Sequence, residues 1–587
     1  MTRFQRADEF VNSALMRTMA LALRELATWR SLLGIALAFV IAACSDVTGV
    51  SPTAKPTQDA VLDGVTAQAA TYYVSPSGND NKNGTSPAKA WRTIAKVNQR
   101  TFSAGDKILF QGGAAFAGSL FFASSDKGSA TAPIVISSYG TGRATINGGT
   151  SDGVLIYNTS GFEIRSINFV GSGRQTNQGS GVTVYADLPL GVKLPYVRVD
   201  SIDAGGFGQY GISIGTWNLS TGFSDVRVTY STVHDNGHGG VTSYAQNAYA
   251  NQNFYVGHVT AYNNTGIPGQ PTNSGSGIVL GGLTGGVIER CIAHDNGALN
   301  TASEGPVGIW AYDSDGITMQ YNESYRNRTA GTADGGGFDL DQNTRNTLVQ
   351  YNYSHDNDGP GYLIAHSPNN SNSTGNTIRY NISQNDGRRN ATGALVIFGR
   401  TIGAEIHNNV VYLKSSLSGN SRAVNVFNAT IPAQDVQRVH FRNNSFIADS
   451  GSIVLSVSAD QVNGAVDLRF EGNNWFSRTS APRFLWGNTT YWGIAAFRTN
   501  TTQETLGGAP VGYQGDPQFT AAGGAGIVGN ADLLTSLSAY RLTSTSPLIN
   551  RGLNLLQQFN VNPGSIDFYA GSTPFGAAYD IGPHEWR

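Results

Sequence analysis

The sequence predicts an all-β protein, a single-stranded right-handed parallel β-helix with an N-terminal capping helix and a C-terminal cap. Three observations predict this fold: a recurring element that ends in Asn, a second recurring element led by Gly, and an unusual composition. The chain has 587 residues with 73 Gly, and only 13% of its residues are charged. Long helical bundles are therefore excluded, because they need abundant charged helix formers.

The first recurring element joins a ring or polar side chain, a polar residue and Asn. Its copies are His234-Asp235-Asn236, Tyr262-Asn263-Asn264, His294-Asp295-Asn296, Tyr325-Arg326-Asn327, His355-Asp356-Asn357 and Ser383-Gln384-Asn385. A period of about 30 residues with short strands and no helix between them is typical of a β-solenoid. Equivalent residues then stack ~4.8 Å apart, so we expect an Asn ladder at a turn, with the His residues beside it structural.

The second recurring element is a Gly followed by alternating residues, as in Gly337-Phe338-Asp339-Leu340. The first and third residues after the Gly are apolar and point inwards, so the second and fourth point outwards. Several outward positions hold aromatic rings, which either stack on sugar faces or pack beneath loops. The candidate substrate-binding residues are Trp310 in the second position and Tyr185, Tyr244 and Tyr312 in the fourth.

The remaining segments divide the chain in order. Residues 1–44 contain a short apolar run that ends in Ile41-Ala42-Ala43-Cys44, which resembles a bacterial lipoprotein signal with Cys44 as the lipidated residue. Residues 45–70 have the composition of a flexible tether. Residues 71–105 are predicted to form an N-terminal cap with a short helix, residues 106–494 the β-helix, and residues 495–587 a cap folded back on the last coils.

These features predict an extracytoplasmic protein, anchored to a bacterial membrane through Cys44 at the cell surface or in the periplasm. An ordinary secretory signal is the alternative. With Cys44 lipidated, Cys291 is the only remaining thiol, so no intramolecular disulfide is expected. The net charge of −2 gives no electrostatic footprint for nucleic acid. We expect a monomer whose partner is a polysaccharide.

Two aspartates flank an inward residue on one Gly-led strand. Asp339 and Asp341 lie on either side of Leu340, so both carboxylates point outwards, with Cα atoms ~6.6 Å apart at a rise of ~3.3 Å per residue. Asp313 and Asp358 on neighbouring coils add negative charge, which protonation, a basic side chain or a cation must balance. Hard oxygen ligands favour Ca²⁺, whereas a solvated acidic turn is the alternative without chemistry.

The surrounding motifs resemble a known family. Ala333-Asp334-Gly335-Gly336-Gly337-Phe338, followed one coil later by His355-Asp356-Asn357-Asp358-Gly359, is similar to the site motifs of the family nine polysaccharide lyases. Those proteins are pectate lyase-like right-handed β-helices that bind Ca²⁺ and use a Lys as base. The resemblance implies that Asp334, Asn357 and Asp358 bind Ca²⁺.

The sequence departs from that family at two positions. No Lys lies between Lys193 and Lys414, so the catalytic Lys has no counterpart. The family's last aspartate falls near Leu363, which cannot bind a metal.

Three functions fit these residues. The first is a calcium-assisted polysaccharide lyase that cleaves a uronic-acid-containing glycan by β-elimination, with Arg345, Arg400, His366 or a Tyr as base. The second is a glycoside hydrolase whose paired carboxylates are Asp339 and Asp341, or either of them with Asp313. The third is a non-catalytic glycan-binding or adhesive solenoid. A lyase leaves unsaturated ends that absorb ultraviolet light, whereas a hydrolase leaves only reducing ends.

Overall fold

The computed structural model describes residues 68–365, 373–387, 389, 392–414, 421–428, 435–449 and 451–587. The chain winds into a right-handed parallel β-helix of about 12 turns, which confirms the predicted fold. In the described residues, the turns build three parallel sheets, which we name sheet 1, sheet 2 and sheet 3 in the order in which a turn passes through them. Cys44, the tether as far as residue 67, and His366 lie outside the described residues.

In the described residues, sheet 1 contains 16 strands and sheet 2 contains 13. The strands of sheet 1 are Thr71–Val74, Lys107–Gln111, Ile134–Tyr139, Phe162–Arg165, Lys193–Asp200, Gly222–Thr229, Asn251–Gly257, Leu283–Glu289, Asp315–Gln320, Leu348–Gln350, Ser373–Thr374, Thr377–Arg379, Thr401–Ile402, Glu405–His407, Gln437–Arg442 and Val466–Glu471. Those of sheet 2 are Ala115–Ala117, Ala144–Gly149, Ile167–Gly171, Asp203–Gly205, Thr232–His234, Thr260–Tyr262, Ile292–His294, Glu323–Tyr325, Tyr353–His355, Ile382–Gln384, Val410–Leu413, Ser445–Ala448 and Asn474–Ser477.

Sheet 3 contains the Gly-led strands. Its members are Leu120–Phe122, Val154–Tyr157, Val182–Ala186, Tyr210–Thr216, Gly239–Tyr244, Ser276–Gly281, Val307–Tyr312, Gly336–Leu340, Tyr362–Ala365, Leu395–Phe398, Arg422–Phe427, Ile453–Val457, Arg483–Trp486 and the antiparallel Thr489–Trp492. A separate hairpin pairs Thr505–Leu506 with Ala509–Pro510. The α-helices are Ile94–Asn98, Ala459–Gly464, Ile494–Thr501 and Leu555–Phe559, and the 3₁₀ helices are Pro87–Lys89, Ala531–Ser536 and Ser538–Tyr540.

Alternation along the sheet 3 strands decides which side chains are buried in the core. Phe338 and Leu340 are each 1% exposed and belong to the main hydrophobic core, as predicted. The same positions are buried in successive coils, because parallel pairing places equivalent residues next to one another. Ile309 pairs with Phe338, and Ala311 with Leu340. The intervening residues therefore form the outer face of sheet 3.

The turn between sheets 2 and 3 contains the predicted Asn ladder. The backbone N–H and Nδ2 of each Asn donate to Oδ1 of the Asn one coil later, and the Nδ2–Oδ1 distance is 3.0 Å at each step from Asn236 to Asn357. The last step differs from the sequence pattern, because Asn357 donates to Asp386 rather than to Asn385. The ladder therefore ends on a carboxyl group.

A second ladder, which the sequence pattern had not revealed, lies at the turn between sheets 1 and 2. It has the same donor–acceptor order through Asn322, Asn352, Asn381, Asn409, Asn444 and Asn473. It also ends on a carboxyl group, because Asn473 donates to Glu504. Burial raises the pKa of Asp386 to about 6 and that of Glu504 to about 7.

The His residues beside the first ladder form a stack of rings on sheet 2. His234, Tyr262, His294, Tyr325 and His355 lie face to face, with ring centroids 5.0, 5.3, 4.8 and 4.8 Å apart in that order. Each His ring also hydrogen-bonds through Nδ1 to the Asp that follows it in the chain. This arrangement confirms that the three His residues form one structural column rather than a metal cluster.

The N-terminal region contributes both a strand and a helix. Thr71–Val74 pairs with Lys107–Gln111 and so begins sheet 1. The helix Ile94–Asn98 is capped by the Thr93 side chain, which accepts from the Lys96 N–H, and it buries Ile94 and Val97 in the core. As predicted, a short helix thus covers this end of the solenoid.

The C-terminal region folds back much further than the last coils. The Tyr540 hydroxyl donates to Gln384, and the backbone N–H groups of Val528 and Gly529 donate to the buried Glu323. Further along, Arg290 forms an ion pair with Asp532 at 2.8 Å. This segment therefore runs back across the outer face of sheet 2 to the middle of the β-helix.

No helix in the described part of the chain is both long and apolar enough to cross a membrane.

Cys291 is a buried free thiol whose Sγ lies near the carbonyl oxygens of Val256 and Glu289.

Candidate active site

The two candidate carboxylates belong to Asp339, in the strand Gly336–Leu340 of sheet 3, and to Asp341, which directly follows that strand. Asp339 pairs in register with Trp310 on the preceding coil and with Leu363 on the following coil. Although Asp339 points away from the core, it is only 5% exposed, whereas Asp341 is half-buried. The Asp341 Oδ1 accepts a hydrogen bond from the Gln342 N–H at 2.7 Å. The structure thus brings Asp339, Asp341 and Trp310 together.

The electrostatics of Asp339 favour its protonated form. Burial raises the pKa of this carboxyl well above its usual range, and the neighbouring charges of Asp341 and Asp334 raise it further. Its Oδ1 is buried and has no hydrogen-bond partner in the described residues, and the same holds for Nε1 of Trp310. Buried polar atoms without partners are rare in proteins and often mark a functional role. These two atoms belong to side chains on adjacent coils.

Asp334 lies in the loop that leads into the same strand. Its Oδ2 accepts the Gly305 N–H at 2.9 Å, and its backbone has φ of 54°. Burial raises the pKa of Asp334 to about 6, with a smaller contribution from Glu304. Asp334 therefore contributes to the acidic cluster, but from the edge of sheet 3 rather than from its outer face.

Tyrosine rings cover the outer face on the N-terminal side of Asp339. Tyr312 lies against Gly281 and Tyr244 against Gly215, since a Cβ atom at either Gly would come within 2.3 Å of the ring. Trp310 packs beside Tyr312 with ring centroids 5.4 Å apart. The four rings predicted to bind substrate are half-buried and share this face. Gly in alternate coils gives the rings room to lie flat.

Tyr185 belongs to a more distant part of the same face. Its ring stacks on Tyr157, with centroids 6.1 Å apart, and the Tyr157 hydroxyl donates to Asp187. Tyr210, which the alternation rule did not select because it precedes Gly211, joins the face as well. Burial raises the pKa of Tyr210, and burial also raises that of Tyr244 to about 12, so these hydroxyls stay protonated.

The candidate bases are placed less favourably. The Arg345 guanidinium lies 2.9 Å from Asp315 and 4.1 Å above the ring of Tyr249, at the turn towards sheet 1. Arg400 follows the strand Leu395–Phe398, which is two coils beyond Asp339, and its Nε is buried without a partner in the described residues. The structure therefore does not bring either Arg next to Asp339.

The three residues expected to bind Ca²⁺ are already engaged. Asn357 belongs to the Asn ladder, where its Oδ1 accepts two hydrogen bonds from Asn327. The Asp358 carboxylate lies 3.3 Å from Arg328 and 3.2 Å from Arg389. Since Ca²⁺ needs several oxygen ligands together, this donor set does not fit it. No group of three or more His, Cys, Asp or Glu suited to a metal occurs in the described residues.

Comparisons with known proteins find one family model and several similar proteins. A family model described as a right-handed beta helix region matches residues 260–411. Lacto-N-biosidase from Bifidobacterium longum subsp. longum is 25% identical over 450 residues, and the match covers 59% of this chain but only 28% of that protein.

Two solved structures illustrate the similarity. The GH136 lacto-N-biosidase from Eubacterium ramulus has 15% identity and a TM-score of 0.42, covering 65% of this chain and 64% of its own. Pectate lyase Pel9A has 16% identity and a TM-score of 0.39, covering 88% and 96%.

Proposed function

We propose that the protein is a glycoside hydrolase, in which Asp339 is the general acid and Asp341 is its partner carboxylate. The observation that carries the proposal is the contrast between these two neighbouring groups. A glycosidase needs one carboxyl group that holds its proton at neutral pH and one that does not. Burial and the adjacent negative charges hold the proton on Asp339, while Asp341 is more exposed and accepts a backbone hydrogen bond.

The proposed reaction uses only side chains of this chain. Asp339 donates its proton to the glycosidic oxygen as the bond to the anomeric carbon breaks. On one route, Asp341 attacks the anomeric carbon as the leaving group departs, and water, deprotonated by Asp339, then hydrolyses the resulting glycosyl ester and restores both carboxyl groups. On the other route, Asp341 takes a proton from a water molecule that attacks the anomeric carbon directly. The first route retains and the second inverts the anomeric configuration, so the first-formed product, followed by proton NMR, reveals which one operates.

The aromatic residues beside Asp339 support a glycan as substrate. Trp310 and Tyr312 form a half-buried aromatic surface on the coil next to the carboxylates. Sugar rings present apolar C–H faces that pack on such surfaces, and the buried Nε1 of Trp310 is a donor without a partner among the described residues. The name of the matched relative, lacto-N-biosidase, points to the same class of substrate.

The calcium-assisted lyase is less well supported. Its metal ligands would have to include Asn357 and Asp358, which are held by the ladder and by two guanidinium groups. Among its candidate bases, Arg345 is paired with Asp315. No step of the proposed hydrolysis passes through a metal.

The test is a screen of neutral and anionic polysaccharides with and without Ca²⁺, following reducing ends and ultraviolet absorbance together. We expect reducing ends without absorbance and full activity in a chelator. Asp339→Asn should lower kcat/KM by ~10²–10⁴-fold because it removes the general acid. Asp516→Asn, at an exposed site, is the matched control and should leave activity unchanged.

Two other outcomes would redirect the proposal. Unsaturated products that need Ca²⁺ would establish a lyase. Glycan binding without turnover, unaffected by Asp339→Asn, would establish a non-catalytic solenoid.

We also propose that the protein acts outside the cytoplasm as a monomer anchored through Cys44. The support is the sequence pattern that ends at this residue. In a bacterial host, Cys44→Ser should move the protein from the membrane to the soluble fraction. Unchanged membrane association of this variant would contradict the anchor.

A further inference from the structure

A cavity of about 350 Å³ opens at the edge where sheet 2 turns into sheet 3. Its volume is at the lower end of the range for small-molecule sites, which is ~300–1,000 Å³. Polar side chains line one part and apolar side chains another. The residues that matter here are Arg174, Gln175, Gln178, Gln209, Ile267 and Leu299.

The charged side chain in the polar part of the cavity, Arg174, already has several partners. Arg174 already donates to the Asn263 carbonyl at 3.0 Å and to the Thr265 hydroxyl at 2.9 Å, and it lies 3.8 Å from Asp235. The side-chain amides of Gln178 and Gln209 form no hydrogen bond with other described residues. These amides can donate and accept at once, which suits the hydroxyl and amide groups of neutral sugars.

The apolar part of the cavity is lined by Ile267, Pro268 and Leu299. Leu299 is 39% exposed, although large aliphatic side chains are usually buried, and Ile267 lines the same cavity. A mainly apolar lining with a few well-placed polar groups is the usual composition of a ligand site.

The cavity lies on the same edge of sheet 3 as Asp334, the member of the acidic cluster that precedes its strand. Its lining includes Gly237, just before the strand Gly239–Tyr244, whereas Asp334 occurs just before Gly336–Leu340. These two strands are three steps apart in sheet 3. At ~4.8 Å per step the separation along the axis is ~14 Å, a span that a glycan of a few residues covers.

We propose that this cavity is a distal subsite that holds a neutral sugar residue of the substrate, away from the bond that is cleaved. The proposal rests on the proposed function in so far as the sugar belongs to a glycan that reaches Asp339. Gln178 and Gln209 hydrogen-bond its polar groups, and Leu299 packs on its apolar face.

The test uses the full chain carrying Asp339→Asn, so that binding is observed without turnover. The probes are the methyl glycosides of glucose, galactose, xylose and N-acetylglucosamine, and free galacturonate, followed by saturation-transfer NMR. We expect at least one neutral sugar to bind. Adding Gln178→Ala and Gln209→Ala should weaken its affinity by about tenfold, since two hydrogen bonds of modest net strength are lost.

Two further variants complete the design. Gln558→Ala, which changes an exposed Gln far along the chain, should leave the affinity unchanged. Leu299→Asn should weaken binding as well, which gives a second approach if the double variant is poorly folded.

Several results would overturn the proposal: no binding of any neutral sugar, an affinity that the double variant leaves unchanged, or preferential binding of galacturonate. None of them depends on catalysis. A failed subsite is therefore distinguishable from a failed hydrolase, which would show in the product screen while sugar binding persisted.

Discussion

The outer faces of sheets 2 and 3 are built on the same coils but differ in how strictly they repeat. On sheet 2 the rings of His and Tyr alternate over five coils with nearly constant spacing. On sheet 3 the equivalent column reads Val279, Trp310, Asp339, Leu363 and Val396, in which aliphatic, aromatic and acidic side chains follow one another without a repeat. Repetition gives each residue a partner of its own kind, whereas the irregular column leaves polar atoms unpaired.

The paired side chains of sheet 2 contribute to stability, whereas the unpaired side chains of sheet 3 are the candidates for chemistry. The His residues of sheet 2 are matched by Asp side chains, and Glu323 is enclosed by the C-terminal segment. Asp339 on sheet 3 has neither a cation nor a described hydrogen-bond partner for Oδ1. In this solenoid, the residues at which the stacking pattern is interrupted are therefore the candidates for catalysis.

The largest effect on stability is expected from the Asn ladder. Asn264→Ala removes an acceptor that serves both the N–H and Nδ2 of Asn236, and a donor to Asn296. Leaving buried polar groups unpaired costs ~1–3 kcal/mol each, so we expect a loss of about 3 kcal/mol in urea unfolding, with kcat unchanged. The exposed Asn81→Ala is the control and should stay within about 0.5 kcal/mol of the wild type.

The carboxyl end of that ladder should make stability depend on pH. Because burial raises the pKa of Asp386 to about 6, the folded state retains a proton that the unfolded chain releases above ~pH 4. Stability should therefore fall as pH rises from about 4 to 6. Asp386→Asn removes this term, so its stability relative to the wild type should grow by about 2–3 kcal/mol between pH 4 and pH 7. Parallel unfolding curves for the two proteins across this range would contradict the assignment.

Asp339→Asn should have a smaller effect on the free energy of unfolding, opposite in sign to that of Asn264→Ala. Because the pKa of Asp339 is raised in the folded state, the folded protein binds this proton more tightly than the unfolded chain does. The free energy of unfolding therefore falls as pH rises above the pKa of the unfolded chain. Asp339→Asn removes the titrating group, so thermal unfolding at neutral pH should show a stabilisation of about 1 kcal/mol together with the loss of activity. A destabilised variant would indicate that Asp339 holds the fold together rather than carrying out chemistry.

Much of the fold was predictable because it follows from local repetition. The period of the Asn-ended element predicted the coils, and the alternation after each Gly predicted that Phe338 and Leu340 are buried while Asp339 and Asp341 point outwards. The site was less predictable. The burial of Asp339 arises from contacts with other coils and loops, which no periodicity encodes.

The residues named in the calcium prediction show that one residue can belong to two sequence patterns. Asn357 belonged to two sequence patterns, the ladder and the resemblance to the lyase motif, and in the structure it serves the ladder. Asp358 is likewise engaged by Arg328 and Arg389, which are distant in sequence. The reach of the C-terminal segment was also hidden, because its contacts join residues such as Gln384 and Tyr540 that no local pattern relates.

Both Asn ladders have a direction. Each bond from one Asn to the next is donated towards the C-terminal end, while Nδ2 also donates back to a backbone carbonyl, as from Asn236 to Ala204 and from Asn264 to Val233. The next coil must therefore always supply a side-chain acceptor. Asp386 and Glu504 accept without having an amide to pass on. Each ladder thus ends where a carboxyl group replaces the amide. The number of coils in each ladder is therefore determined by the chemistry of its last side chain.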